Sequence, residues 1–186
     1  MSTQLNNLRS QERLLVVQAQ ARNQVAFQEL VTRYESRLAY YIRRMIGDSG
    51  DAFDVMQDVW ILVFRRLSTL KAPEAFRVWL YRIAHDVSVS HLRRRSRLPQ
   101  KTIDVAVQDE VDDWDEFQAL ENAELVHRTL EQLSPVHREV LTLRFLEELD
   151  LADIAHVVGC EVGTVKSRLH YAKRALRQQI EGENDE

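Results

Sequence analysis

The stretch from Glu148 to Arg177 constrains the fold of this chain more than any other part of the sequence. Asp150 is suited to begin a helix, because its carboxylate can accept the free backbone N–H groups of a first turn. Gly159 can adopt the left-handed conformation that ends a helix. Helix-forming sequence resumes at Val162. The pattern therefore predicts two helices joined by a tight turn.

Apolar residues at helical spacing give each of these helices an inner face. In the first helix they are Leu151, Ile154, Ala155 and Val158. In the second they are Val162, Val165, Leu169, Ala172 and Leu176. The outer face of the second helix combines small, hydroxyl, cationic and aromatic residues: Gly163, Thr164, Lys166, Ser167, His170, Tyr171 and Arg174. A helix-turn-helix places such a face in the DNA major groove. The alternative is an αα-hairpin with a solvated basic face.

Length and composition indicate an all-α protein of one or two small domains. The chain has 186 residues, with five Gly, three Pro and few alternating β-type segments. Its one Cys excludes an internal disulfide and suits a reducing cytoplasm. The sequence contains no apolar run long enough to span a membrane, and its first residues lack the order of a signal peptide.

Charge is distributed unevenly along the chain. Residues 20–98 carry 14 cations and 8 anions, whereas residues 99–124 carry one cation and nine anions. We therefore expect a basic helical domain over 20–98, a linker over 99–116 and a second helical domain over 117–180. Residues 1–20 are compatible with a helix but have little to fix them. The acidic run is either a solvated segment or a strap that shields basic surfaces.

The segment 51–67 predicts an amphipathic helix with an additional apolar surface. Its predicted core stripe is Phe53, Met56, Trp60, Val63, Phe64 and Leu67. Outside that stripe, Val55, Ile61 and Leu62 are mixed with Asp51, Asp54 and Asp58. This mixture is typical of a docking surface for a partner, or of a helix that its own neighbours bury on two sides.

The segment 74–95 predicts a helix with a basic end. Its inner face is Phe76, Trp79, Leu80, Ile83, Ala84 and Val87, and its outer face is Tyr81, His85, Ser88 and Leu92. Arg93, Arg94 and Arg95 close it. The outer face suits stacking on unpaired bases, with arginines on phosphates. It is equally typical of a solvated face whose cations offset the helix dipole.

The sequence lacks the motifs of an enzyme or a metal protein. It has no H-E-x-x-H, no C-x-x-C and no glycine-rich phosphate loop. His156 and Cys160 lie four residues apart, but two ligands do not make a metal site. We therefore predict no catalytic residue, no metal and no cofactor.

Three motifs together resemble the conserved regions of bacterial sigma factors of the extracytoplasmic-function type. They are D-A-F-D-V-M-Q-D-V-W, F-R-V-W-L-Y-R-I-A-H-D-V-S-V-S-H-L-R-R-R and the run L-S-P-V-H-R-E-V-L that leads into V-G-T-V-K-S-R-L-H. They occur in the family's order and separation, and the resemblance spans residues 22–180.

The resemblance implies a cytoplasmic protein with two tethered helical domains and three surfaces. One surface would bind the β′ clamp helices of core RNA polymerase: Asp51, Asp54, Val55, Asp58, Trp60, Ile61 and Leu62. A second would capture minus-10 promoter DNA: Tyr81, His85, Asp86, Ser88, Arg93, Arg94 and Arg95. The outer face of the helix-turn-helix would read the minus-35 element. An anti-sigma factor is a further partner that the resemblance allows.

The sequence departs from the family pattern at three positions. Asp86 stands where many relatives carry Asn, and Tyr171 stands where a basic residue is usual. Glu161 replaces a frequent Pro before the recognition helix. The competing hypothesis is a helix-turn-helix regulator that never contacts polymerase and binds a palindrome as a dimer. That hypothesis leaves the basic N-terminal domain unexplained.

Overall fold

The computed structural model describes residues 2–47, 50–95, 130 and 132–183. Every regular element within those ranges is helical, which confirms the predicted all-α class. The chain divides into two compact units, Met1–Pro99 and Gln100–Glu186. The predicted linker over 99–116 lies outside the described residues.

Within its described residues, the first unit contains four α-helices. They are α1 (Ser2–Gln20), α2 (Gln24–Ile46), α3 (Ala52–Arg66) and α4 (Phe76–Arg95). Two short 3₁₀ turns, Leu67–Thr69 and Pro73–Ala75, connect α3 to α4. Pro73 opens the second turn, where a residue without an N–H removes no helical hydrogen bond. Before α2, the side chain of Asn23 accepts a hydrogen bond from the Ala26 N–H at 3.1 Å.

The second helix, α2, is central to the first unit, because α1, α3 and α4 all pack against it. Its buried residues recur at helical spacing: Leu30, Tyr34, Leu38, Tyr41 and Ile42. Edge-to-face ring pairs join it to α4, Tyr34 with Phe76 at 5.6 Å and Tyr41 with Tyr81 at 5.2 Å between centroids. Each large apolar side chain buried this way contributes about 1.5–3 kcal/mol to stability.

Helix α1 is fixed to the first unit more firmly than the sequence indicated. Val16 is fully buried, and the Tyr34 hydroxyl donates to Glu12 Oε2 at 2.6 Å. Gln20 Nε2 donates to two backbone carbonyls beyond α3, Leu67 O at 3.0 Å and Leu70 O at 2.7 Å. These bonds cross from the end of α1 to a segment almost 50 residues away, so no local pattern predicts them.

The predicted core stripe of α3 is only partly correct: Val63 and Leu67 are buried, whereas Met56 and Trp60 are half-buried. Val55, Val59 and Val63 fill the core, followed by Leu67, whereas Phe53 is 68% exposed and Phe64 is 48% exposed. The spacing of four residues between the valines gives a straight buried stripe along the helix. We had placed the larger aromatic residues inside. The compact β-branched side chains lie there instead, because α3 packs closely against α2 and α4.

Within its described residues, the second unit contains the helix-turn-helix and the helix before it. Helix α5 (Pro135–Leu141) continues into a π-helical segment, Thr142–Leu146. It is followed by α6 (Leu151–Val158) and α7 (Val162–Glu183). Both α5 and α6 pack against α7. Every element contributes fully buried residues to the core, among them Val140, Leu143, Leu149, Ile154, Leu169 and Leu176.

Three predicted inner positions of the second unit differ from the observed core, and the first of them, Leu151 at the start of α6, is only half-buried. In α6 the buried residues are Ile154, Ala155 and Val157, and Val158 is only half-buried. In α7, Val162 is 38% exposed because it is the first residue of the helix. The other four predicted inner residues of α7 are buried.

Candidate nucleic-acid and partner-binding surfaces

The turn between α6 and α7 has the predicted helix-turn-helix geometry. Asp150 Oδ1 accepts a hydrogen bond from the Asp153 N–H at 2.7 Å and caps α6. Gly159 ends α6 in the left-handed conformation, with φ 70° and ψ 43°, and donates to Ala155 O. These two caps fix where α6 begins and ends, and α7 follows at Val162.

The outer face of α7 carries the predicted minus-35 residues at the surface. Gly163, Lys166 and Arg174 are exposed, and Thr164, Ser167, His170 and Tyr171 are partly exposed. A side chain added at Gly163 would meet open space, so the first turn of α7 is open to a ligand on this face. The Ser167 hydroxyl donates a hydrogen bond to Gly163 O at 3.0 Å. Its oxygen can still accept a hydrogen bond from a ligand.

Tyr171 contacts two other aromatic rings. His137 of α5 stacks on it, with centroids 6.3 Å apart and an interplanar angle of 28°. His170 meets it edge to face at 5.6 Å. Burial, with a smaller contribution from the charge of Arg168, lowers the pKa of His137 below its usual 6.5. His137 is therefore a neutral ring at neutral pH.

The exposed side of α3 forms a mixed aromatic and acidic surface that we call the docking face. Its members are Phe53, Asp54, Asp58, Trp60, Ile61 and Phe64. They lie opposite the stripe of buried valines, with aromatic residues on one flank and carboxylates on the other. Leu62 lies at the edge of this surface and is half-buried.

Aromatic packing from α2 supports the docking face. Phe27 meets Trp60 and Phe64 edge to face, with centroids 6.1 Å and 5.2 Å apart. The guanidinium of Arg22 lies 5.6 Å from the centre of the Phe64 ring. These contacts hold two aromatic rings in place while leaving part of each at the surface.

Val55 is 2% exposed, which corrects its placement outside the core. Our sequence interpretation also missed Phe53 and Phe64 as surface residues. The signal that could have identified them is the regular series Val55, Val59, Val63, which already completes a buried stripe. A helix of this length that packs on one side has room for one such stripe, and the aromatic residues belong to the other side.

Two residues predicted on the outer face of α4, Tyr81 and Ser88, are fully buried. Helix α4 packs against both α2 and α3, so its buried arc is wider than one stripe. His85 is half-buried and Asp86 is exposed. The Asp86 carboxylate lies 3.2 Å from Arg82 Nε, one turn earlier, so its charge is partly compensated within the helix.

The basic end of α4 is exposed and is joined to the start of α3. Arg93, Arg94 and Arg95 are all exposed. Asp51 Oδ2 lies 3.2 Å from Arg95 Nη1 and 3.3 Å from His91 Nε2. Arg94 Nε donates to Ser90 O at 3.3 Å. The structure therefore brings together a residue predicted to bind polymerase and a residue predicted to bind DNA.

The described residues contain neither a cluster of metal ligands nor a membrane-spanning helix. No group of three or more His, Cys, Asp or Glu side chains in them is arranged to hold a metal ion. Among the described helices, none is long and apolar enough to cross a membrane.

Comparison with known protein families gives a match in each unit. Residues 30–98 match Sigma-70 region 2, and residues 123–176 match Sigma-70, region 4. The RNA polymerase sigma-H factor of Pseudomonas aeruginosa is 36% identical over 183 residues, covering 92% of this chain and 94% of that protein. The ECF RNA polymerase sigma-E factor of Escherichia coli K12 is 32% identical over 181 residues, covering 91% and 94%.

Solved structures with a similar fold include two complexes. CnrH in complex with the cytosolic domain of CnrY matches with a TM-score of 0.66 and 28% identity, over 92% of this chain and 98% of that one. The sigma factor RpoE of Bartonella quintana, in complex with the anti-sigma factor NepR, matches with a TM-score of 0.65 and 21% identity, over 83% and 96%. The second likeness concerns the fold alone.

Proposed function

The chain belongs to the family of ECF RNA polymerase sigma factors, and from that premise we propose how its two units divide the work of promoter-specific initiation. The first unit binds core RNA polymerase and minus-10 DNA. The second reads minus-35 DNA with the helix-turn-helix. The order of the two family matches along the chain supports this division.

The docking face of α3 is the observation that carries the proposal. A helix that keeps Phe53 68% exposed and Ile61 41% exposed has an apolar surface that its own fold does not cover. Asp54 and Asp58 border that surface and favour a basic partner. The β′ clamp helices of core polymerase are the partner that we assign to it. Val55 leaves the proposed contact set because it is buried, and Phe53 and Phe64 join it.

Minus-10 DNA is assigned to the exposed part of α4. Arg93 and Arg94 bind the phosphate backbone, and Arg95 joins them once it leaves Asp51. His85 and Asp86 lie on the accessible side of the same helix. Tyr81 and Ser88 act in the core of the unit instead.

Minus-35 DNA is assigned to the outer face of α7. Lys166 can donate to guanine O6 and N7 in the major groove, and Ser167 can accept a hydrogen bond from a base edge. Arg174, one turn beyond Tyr171, meets the phosphate backbone. Buried Val165 and Leu169 hold the opposite side of the helix against the second unit.

In this account the protein acts by binding in the cytoplasm, without chemistry or a cofactor of its own. A second protein partner, in the role of an anti-sigma factor, extends the proposal. The similar structure of CnrH, which is in complex with the cytosolic domain of CnrY, supports a protein partner for this chain.

The test of the proposed function is the affinity of the purified chain for core RNA polymerase. Phe53→Ala should lower that affinity about 30-fold or more, because truncating an aromatic anchor of an interface typically costs about 2 kcal/mol or more. The matched control is Leu14→Ala on α1, which also truncates an exposed apolar residue, at 58% exposure, and should change nothing. A chain that binds promoter DNA specifically but not the core enzyme would establish the helix-turn-helix regulator instead.

A further inference from the structure

A contact between α5 and α7 places an unexpected ring beside the recognition surface. His137 is the third residue of α5, and it lies 34 residues before Tyr171 in the sequence. The two rings are close to parallel, at 28°, with centroids 6.3 Å apart, which is an offset stack. This is a cross-helix contact between a helix that supports the motif and the outer face of the helix that carries it.

Tyr171 belongs to the same face as the proposed base-reading residues. Ser167, Tyr171 and Arg174 follow one another at spacings of four and three residues, so they share one side of α7. His170 also meets the Tyr171 ring edge to face, with centroids 5.6 Å apart. The phenol ring therefore contacts two imidazoles while remaining partly exposed.

We propose that His137 is a positioning residue for minus-35 recognition. By stacking on Tyr171 from α5, His137 fixes the orientation of the Tyr171 side chain on α7. That orientation determines which base pair or phosphate the phenol contacts. The inference rests on the proposed function of the second unit. An aromatic side chain with two free torsions loses specificity if it can rotate, and a stack on a rigid neighbouring helix removes that freedom.

The chemistry of His137 fits an orienting role rather than a direct charge contact. Burial and the neighbouring Arg168 keep its imidazole neutral at neutral pH, so the ring presents a flat aromatic surface to Tyr171. The cations of this surface are supplied by α7 itself, through exposed Lys166 and Arg174. At this position an aromatic ring should therefore matter more than a titratable one.

A plain packing role for His137 makes a different prediction. If the site only needs volume, a branched aliphatic side chain will replace the imidazole without loss. If the site needs a flat ring, Phe will replace it and Leu will not. Phe and Leu are both apolar and of similar size to His, so the pair separates stacking from filling.

The experiment uses full-length protein assembled with core RNA polymerase. The holoenzyme selects from a pool of promoter duplexes randomised across the minus-35 element, and bound DNA is sequenced. Affinity is then measured for the duplex that the wild type prefers. The variants are His137→Ala, His137→Leu, His137→Phe, Tyr171→Ala and the double variant of His137→Ala with Tyr171→Ala. A thermal unfolding midpoint for each variant monitors the fold.

The proposal expects His137→Ala and His137→Leu to lower affinity roughly 3- to 10-fold, the size typical of losing an aromatic pair. They should alter the same base-pair preferences that Tyr171→Ala alters. His137→Phe should retain the wild-type preferences, and the double variant should bind no more weakly than Tyr171→Ala. Wild-type behaviour of His137→Leu, or additive losses in the double variant, would overturn the positioning role. A wild type that selects no minus-35 sequence would instead overturn the proposed function of the second unit.

Discussion

At the scale of single residues, Asp51 links the two proposed surfaces of the first unit. Its Oδ2 faces both Arg95 and His91, at 3.2 and 3.3 Å. The side chains of Arg95 and Asp51 are 60% and 44% exposed, so the pair contributes at most about 1 kcal/mol to stability. The larger effect of the pair is on DNA binding, since Arg95 must leave Asp51 before it can bind a phosphate.

Replacing Asp51 with Asn should therefore strengthen DNA binding by the holoenzyme. Releasing one arginine should make the salt dependence steeper, by about 0.7–0.9 in the logarithmic slope. The measurement is promoter affinity over a salt series with core enzyme saturating, so that any change in core affinity does not enter. The same substitution in an Arg95→Ala background should have no effect. An equal gain in that background would show that Asp51 acts through general charge and not through Arg95.

His137 should make the stability of the protein sensitive to acid. Its pKa is lowered in the folded state by burial and then by Arg168. The unfolded chain therefore takes up the proton first, so this contribution to stability is present above about pH 6.5 and is lost as the pH falls below it. Chemical unfolding of the wild type and His137→Phe, compared at neutral and mildly acidic pH, measures the effect. On going from neutral to mildly acidic pH, the wild type should lose more free energy of unfolding than His137→Phe. An equal loss in both proteins would contradict this prediction.

At the scale of elements, α1 is an integral part of the first unit because of its last residue. Gln20 makes two hydrogen bonds to carbonyls of the turn after α3, and such bonds contribute about 0.5–1.5 kcal/mol each. Gln20→Ala should therefore lower the free energy of unfolding by about 1–3 kcal/mol. The control is Gln18→Ala, at an exposed position on the same helix, because it makes the same gain in helix propensity from Gln to Ala. Equal stability of the two variants would show that α1 is held by its apolar contacts alone.

Two glycines beside the turn of the helix-turn-helix should respond in opposite ways to alanine. Gly159 has φ 70°, where a side chain costs about 1–2 kcal/mol, so Gly159→Ala should destabilise the protein. Gly163 lies inside α7 with open space around it, so Gly163→Ala should stabilise the protein by about 0.5–1 kcal/mol. Thermal unfolding followed by circular dichroism measures both. A neutral result at Gly159 would mean that the turn can relax to another conformation.

The elements themselves could be predicted from local sequence, but their faces only in part. Caps are local signals, so Asp150 and Gly159 place the two ends of α6 correctly, whereas Pro73 opens a 3₁₀ turn and α4 begins three residues later. Which side of α3 is buried depends on what packs against it, and periodicity allowed either of two stripes. Tyr81 and Ser88 were predicted on the exposed face of α4 for the same reason. Both are buried, because two neighbouring helices pack against α4. The contact of His137 with Tyr171 joins distant residues and has no sequence signal at all.

At the scale of the whole molecule, the account depends on a division of labour between two units. Exposed aromatic and acidic groups lie on α3, in the unit that matches Sigma-70 region 2. The exposed face of the helix-turn-helix lies on α7, in the unit that matches Sigma-70, region 4. No residue of one surface belongs to the other. Substitutions on one surface should therefore abolish its binding without weakening the binding of the other surface.

The most direct test compares two double variants in two binding assays. Phe53→Ala with Asp58→Lys alters the docking face, and Lys166→Ala with Ser167→Ala alters α7; circular dichroism confirms that both remain folded. The readouts are affinity for core RNA polymerase and affinity of the saturated holoenzyme for minus-35 DNA. The account predicts that the α7 variant loses about 5- to 150-fold in DNA affinity, the value of one base contact, and keeps its core affinity. The α3 variant should show the reverse. Loss of core affinity by the α7 variant as large as its loss of DNA affinity would contradict the account.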